Sequence, residues 1–153
     1  MPLLLTALTV SPGIPGAAEK DYPTTLEMAA KEWATAMQAY VAGVIPPSVT
    51  VAAAASALEA ALVGAFSAGS TSCAGLMDAA FQQFAATIAG GQLPLYTGVP
   101  PPAPVGFATI FAQKPAPGTR TEGVARVATK IDAWMRTGIG ILVLPPKSPL
   151  PWS

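Results

Sequence analysis

The 153-residue sequence has no histidine and one cysteine, Cys73. Without histidine there is no imidazole to activate a nucleophile, relay a proton or ligate a metal. A single cysteine forms neither an internal disulfide nor a Cys₄ zinc site. Charge is scarce as well. Only 10% of residues are Asp, Glu, Lys or Arg, and the eight acids balance the eight bases. With no basic excess, the sequence lacks the electrostatic footprint of a nucleic-acid binder. Aromatic residues make up 7%. The 52% hydrophobic fraction is therefore dominated by small side chains, alanine above all. No phosphate-binding glycine loop is present, and Gly138-Ile139-Gly140 alone does not make one.

The charges that exist are unevenly placed. Acids prevail in residues 1–32 and bases in residues 114–153. Residues 33–113 carry only Glu59 and Asp78. A free soluble surface needs charge, so this middle is expected to lie against lipid or other protein. A bilayer span fits poorly. The best window, residues 60–77, is barely long enough and is diluted by Gly64, Ser67, Gly69, Ser70, Thr71, Ser72 and Gly75. Pro46-Pro47 interrupts the other uncharged stretch. Residues 1–10, MPLLLTALTV, are apolar without a preceding basic residue, which reads as an apolar arm rather than a signal peptide.

The periodicity predicts a mainly α fold, a small helical bundle of three to four helices with long extended Pro-rich N- and C-terminal arms and a short C-terminal β-strand. Pro2, Pro12, Pro15 and Pro23 make residues 1–23 an extended arm. Residues 24–138 form the helical domain. Its first helix opens at a capping box, with Thr24 as N-cap and Glu27 three residues on. It places Leu26, Ala30, Trp33, Met37, Tyr40 or Val41, and Val44 on one face and ends at Gly43 and Pro46. A second helix starts at Ser48 or Thr50 with Leu58, Ala61, Leu62, Ala65 and Phe66 as its stripe. Gly69-Ser70-Thr71-Ser72 breaks it from a third, carrying Leu76, Met77, Ala80, Phe81, Phe84 and Ile88 up to Gly90-Gly91. Residues 91–118, with seven prolines, read as a connector in which residues 107–111 pair at most as a short strand. A last helix over residues 121–137 buries Val124, Val127, Ala128, Ile131, Trp134 and Met135, with Gly138 closing it. Residues 139–144 follow as a strand, and Pro145, Pro146, Pro149 and Pro151 hold the rest of 139–153 extended.

Individual candidates for chemistry are weak. Cys73 has no base and reads as a structural thiol. Glu59 and Asp78 meet only if their helices fold back, and a solvated position on a helix is their plainer reading. Trp33 and Trp134 read as core. Trp152, near the end of a Pro-rich segment, reads as an anchor for a neighbour's pocket. The strand at 139–144 reads as able to complete a sheet in another chain. The partner-binding set is accordingly Leu3, Leu4, Leu5, Ile139, Ile141, Val143, Leu150 and Trp152, with no catalytic, cofactor or metal residue and no cofactor. Removing residues 145–153 should then leave the fold nearly intact while abolishing assembly.

In whole-chain layout (the MPLLLTALTV arm, the Ala-rich helices, and the ILVLPPKSPLPWS tail) the sequence resembles small virion proteins of tailed bacteriophages and of related contractile injection particles. The resemblance implies a non-enzymatic structural subunit of the neck, tail, baseplate or capsid. Its partners would be other protein subunits of the same particle, in a homo- or hetero-oligomer located in the virion, with no small-molecule substrate. The alternative is a membrane-associated helical protein using the Ala/Gly-rich hairpin of residues 48–90. A small enzyme is the weakest reading.

Overall fold

The computed structural model describes residues 8, 23–112, 120–145 and 147–153. These form five helices and one three-stranded sheet. The expected N-terminal arm of residues 1–23 lies almost wholly outside the described residues, although Leu8 is buried in the core.

Helix α1 (Leu26–Val41) starts one residue later than the capping box predicts. Thr25, in extended conformation, is the N-cap, and its hydroxyl accepts the Met28 N–H at 3.2 Å. Glu27 thus stands in the first turn, where its own backbone N–H and the Thr25 side chain hold its carboxyl below the usual value. The buried face runs through Ala30, Trp33, Ala34, Ala36, Met37, Tyr40 and Val41, while Leu26, expected on that face, is 45% exposed.

Helices α2 (Val51–Ser67) and α3 (Ser70–Gly90) are separate, as the Gly69 break predicts. Gly69 has φ +79°, a left-handed conformation that costs a side-chain-bearing residue energy. Ala54, Ala55, Leu58, Leu62 and Ala65 of α2 face Met77, Ala80, Phe81, Phe84 and Ile88 of α3 in the common core. Ala61 and Leu76, expected in these stripes, are instead exposed. The open ends of the hairpin are tied together. The Thr50 hydroxyl donates to the Thr87 carbonyl at 2.6 Å, and the Val49 N–H to the Gly91 carbonyl at 3.1 Å.

The proline-rich connector contains two elements, β1 (Tyr96–Val99) and α4 (Phe107–Ala112). The strand expected at 107–111 is thus a helical turn and a half. Asp78 decides this. Its carboxylate accepts the N–H groups of Gly106 and Phe107 at 2.8 and 3.2 Å, satisfying donors that a helix start leaves unpaired. Phe107 then enters an edge-to-face cluster with Trp33, Phe81 and Trp134, with ring centroids 5.0–6.3 Å apart. The Trp134 indole N–H is spent on the Ala103 carbonyl.

Helix α5 (Arg120–Met135) contributes Ala128, Ile131, Trp134 and Met135 to the core. The chain turns at Gly138 into β2 (Ile139–Leu142) and returns as β3 (Pro149–Pro151). Sheet order is β1-β2-β3, antiparallel throughout, with Tyr96 opposite Leu142, Gly98 opposite Gly140, and Gly140 opposite Leu150. The described residues are therefore mainly helical with a small sheet. The short C-terminal strand expected from sequence is present, but it has two partners from its own chain.

Candidate interaction surface

The two faces of the sheet follow from strand alternation. Gly98, Gly138 and Gly140 point towards the helices. A Cβ on Gly98 would come within 2.6 Å of the Ala89 Cα, and one on Gly140 would overlap the Pro46 ring. Glycine at these positions lets the backbone of β1 and β2 lie directly on the end of α3 and the Pro46 turn. Gln92, buried to 3% exposure, sits at this junction. Its amide nitrogen donates to the Pro46 carbonyl at 2.9 Å, while its Oε1 rests against Gly98 and Gly140 with no hydrogen-bond donor.

Trp152 belongs to this inner side. It is 1% exposed, its ring lies over Gly138, and its backbone N–H donates to the Gly138 carbonyl at 2.9 Å, while the buried indole N–H has no acceptor among the described residues. Ser153 and Ile45 exchange backbone hydrogen bonds at 3.2 and 3.3 Å. The expectation that Trp152 anchors in a neighbour's pocket is therefore corrected, because its indole fills its own chain's core. The expectation of an extended C-terminal arm over 139–153 is corrected with it, since these residues form two strands of the sheet. Removing residues 145–153 would strip β3 and Trp152 from the fold rather than leave it intact. Strand donation by residues 139–144 is corrected for a related reason. β2 is the central strand, and both of its edges are already hydrogen-bonded.

The opposite, outer face is formed by Leu95, Thr97 and Val99 along β1, Ile139, Ile141 and Val143 along β2, and Pro149 and Pro151 on β3. The pairs are Thr97 with Ile141, Val99 with Ile139, and Ile139 with Pro151, and the Val143 N–H donates to the Leu95 carbonyl at 3.0 Å. Its margins are open, while Ile139 and Ile141 at its middle are half-buried. Leu95 is 62% exposed, Val143 42% and Val99 39%, and Leu93 and Leu144 at its end are 57% and 66% exposed. It carries no charged residue. Half-buried Ile139 and Ile141 and exposed Val143, three of the expected partner contacts, thus share one face of the sheet. Leu150 lies opposite Gly140 on the inner side and is 38% exposed. Leu3, Leu4 and Leu5 lie outside the described residues. Leu95, Thr97 and Val99 were missed by the sequence reading. The signal was the alternation of Y-T-G-V between Pro94 and Pro100.

The other candidates are occupied structurally. Asp78 caps α4. Cys73 is half-buried and packs against the core. Trp33 and Trp134 are core, as expected. Asp132 joins α5 to α1: the Tyr40 hydroxyl donates to its Oδ1 at 2.9 Å and Arg136 Nε to its Oδ2 at 2.9 Å. Burial and the neighbouring Asp132 carboxylate push the Tyr40 hydroxyl well above the ordinary phenol value. The hydrogen bond that Arg136 itself gives Asp132 likewise holds the guanidinium above its ordinary value. A pocket of about 250 Å³ lies over Met28, Lys31, Glu32 and Thr35 on the exposed side of α1. Among the described residues, no group of three or more Cys, Asp or Glu side chains converges as a metal site, and no helix is long and apolar enough to cross a membrane. No family model, curated protein or solved structure matches this chain.

Proposed function

We propose that this protein is a non-enzymatic structural subunit of a larger protein assembly, a virion component of the kind its layout resembles in tailed phages. The observation that carries the reading is the outer face of the sheet, apolar, uncharged and, among the described residues, open at Leu95, Thr97, Val99 and Val143. Monomers seldom leave a contiguous apolar patch beyond ~300–600 Å² open unless it binds something. Two mid-helix glycines support the same reading. Gly64 in α2 and Gly75 in α3 have nothing within 4 Å of where a Cβ would stand. Glycine inside a helix costs about 0.5–1 kcal/mol against alanine, and no contact among the described residues offsets that cost. In this reading the helices form a small bundle that presents the sheet. The N-terminal segment, with Leu3, Leu4 and Leu5, adds apolar contact to other subunits of the particle.

The test is the native mass of the purified chain by sedimentation. The expected result is a species heavier than the 15.4 kDa chain, with far-UV circular dichroism showing a mainly helical protein. A single-chain mass at every concentration up to the solubility limit would overturn the reading.

A further inference from the structure

We infer that the outer sheet face packs against the same face of a second copy of this chain, forming a two-layered β-sandwich across a two-fold axis near the Thr97–Ile141 pair. The inference rests on the assembly reading above and names its first partner.

Charge is the first argument. An isologous contact brings a surface against itself, so any charge on it meets its like. The face formed by Leu95, Thr97, Val99, Ile139, Ile141, Val143, Pro149 and Pro151 has no charge at all, and residues 79–112 and 137–146 contain none either. A second copy meets it with matching chemistry and no repulsion.

Edge chemistry is the second argument, because it removes the usual competing mode. Gly138 and Gly140 are hydrogen-bonded to the Trp152 and Leu150 positions of β3, which turns Pro149 and Pro151 to the outside of the sheet. Neither proline has an N–H to donate, so strand addition at β3 is blocked. At β1 the outward positions are Tyr96, Gly98 and Pro100. The Tyr96 N–H is already given to the Gln92 carbonyl and Pro100 has none, which leaves Gly98 as the one of the three with an outward N–H to offer. Association therefore favours the face over the edges. Like sheets stack about 10 Å apart with strands near −30°, and β-branched side chains such as those of Val99, Ile139, Ile141 and Val143 interdigitate well at that spacing.

Area is the third. The exposed apolar side chains here, Leu93, Leu95, Val99, Val143 and Leu144 at 39–66% exposure, form a patch smaller than the ~800 Å² each partner contributes to a standard interface. That favours a reversible dimer, which a larger particle can build on.

The experiment is sedimentation equilibrium of the full-length chain from micromolar to hundreds of micromolar, comparing wild type, Thr97→Lys, Thr97→Val and Ala57→Lys. Thr97 is exposed, so lysine there disturbs the face and not the core. Ala57 is an exposed residue of α2 and serves as the charge control. Thr97→Lys is expected to lower the weight-average mass towards that of a single chain, a fall of up to twofold, while circular dichroism stays unchanged, and Thr97→Val and Ala57→Lys to keep the wild-type mass. If Thr97→Lys does not fold, Val99→Lys at the margin of the face gives the same reading. A folded lysine variant with undiminished mass overturns this inference and leaves the assembly reading standing. A wild type that stays at single-chain mass overturns both.

Discussion

The two faces of the β1-β2-β3 sheet are made by alternate residues of the same strands, yet they are built oppositely. The inner face is glycine at Gly98, Gly138 and Gly140, so that α3, Pro46 and Trp152 reach the backbone itself. The outer face is Val99, Ile139, Ile141 and Val143 with two prolines, and it is exposed at Val99 and Val143 and half-buried at the two isoleucines. The inner contacts leave no room for a Cβ, whereas the outer side chains form a surface with spare area. Position in the pleat, not hydrophobicity, separates residues that hold this fold from residues free to hold another molecule.

That contrast can be broken most sharply at Trp152. Trp152→Ala empties a fully buried indole site and should cost about 3–5 kcal/mol in urea unfolding. A loss within experimental error would mean the ring is not seated on Gly138. Gly98→Val comes next, with an expected cost of about 3 kcal/mol, because the new side chain meets the Ala89 backbone rather than a movable side chain. An unchanged melting temperature would show that the sheet does not lie against α3 as described.

Tyr40→Phe, in the helical layer, calibrates both. It removes a hydrogen bond to a partly buried carboxylate and should cost about 1–2 kcal/mol at neutral pH. It should also change the alkaline limb. The folded-state Tyr40 hydroxyl keeps its proton above the unfolded value of 10.0, so the folded state binds more protons there, and stability falls as pH rises beyond that value. Below it this contribution is fully present. The phenylalanine variant should lose stability less steeply above pH 10, and parallel curves for the two proteins would contradict the burial of this hydroxyl. The smallest effect belongs to the outer face. Thr97→Val should move the stability of the isolated chain by no more than about 0.5 kcal/mol, and a shift comparable to that of Gly98→Val would erase the distinction between the faces.

Much of the helical layer was legible from spacing alone. Ala30, Trp33, Met37, Leu58, Leu62, Phe81, Phe84, Ile131 and Trp134 recur at helical intervals and are buried. Gly69 between two such patterns marked the hairpin. The capping register slipped by one residue because Thr24 and Thr25 are both able caps, and only backbone geometry chooses Thr25. The candidate surface was half legible. Ile139, Ile141 and Val143 stood out as a strand, but whether that strand was an edge for another chain or a centre for its own depended on β1, hidden among prolines.

Local preference, set by residues within one or two turns of each other, was enough to determine where the helices begin, stop and turn their apolar sides, and why so few side chains here can do chemistry. The sheet was decided only by tertiary structure. β1 pairs with β2 across about forty residues of chain, with Gly98 opposite Gly140, and that pairing depends on long-range contacts. These include Gln92 reaching the Pro46 carbonyl and Trp152 covering Gly138. Asp78 likewise turns residues 107–112 into a helix from 28 residues away. Such contacts are priced by closure of long loops and by steric fit, neither of which a local pattern of residue types contains.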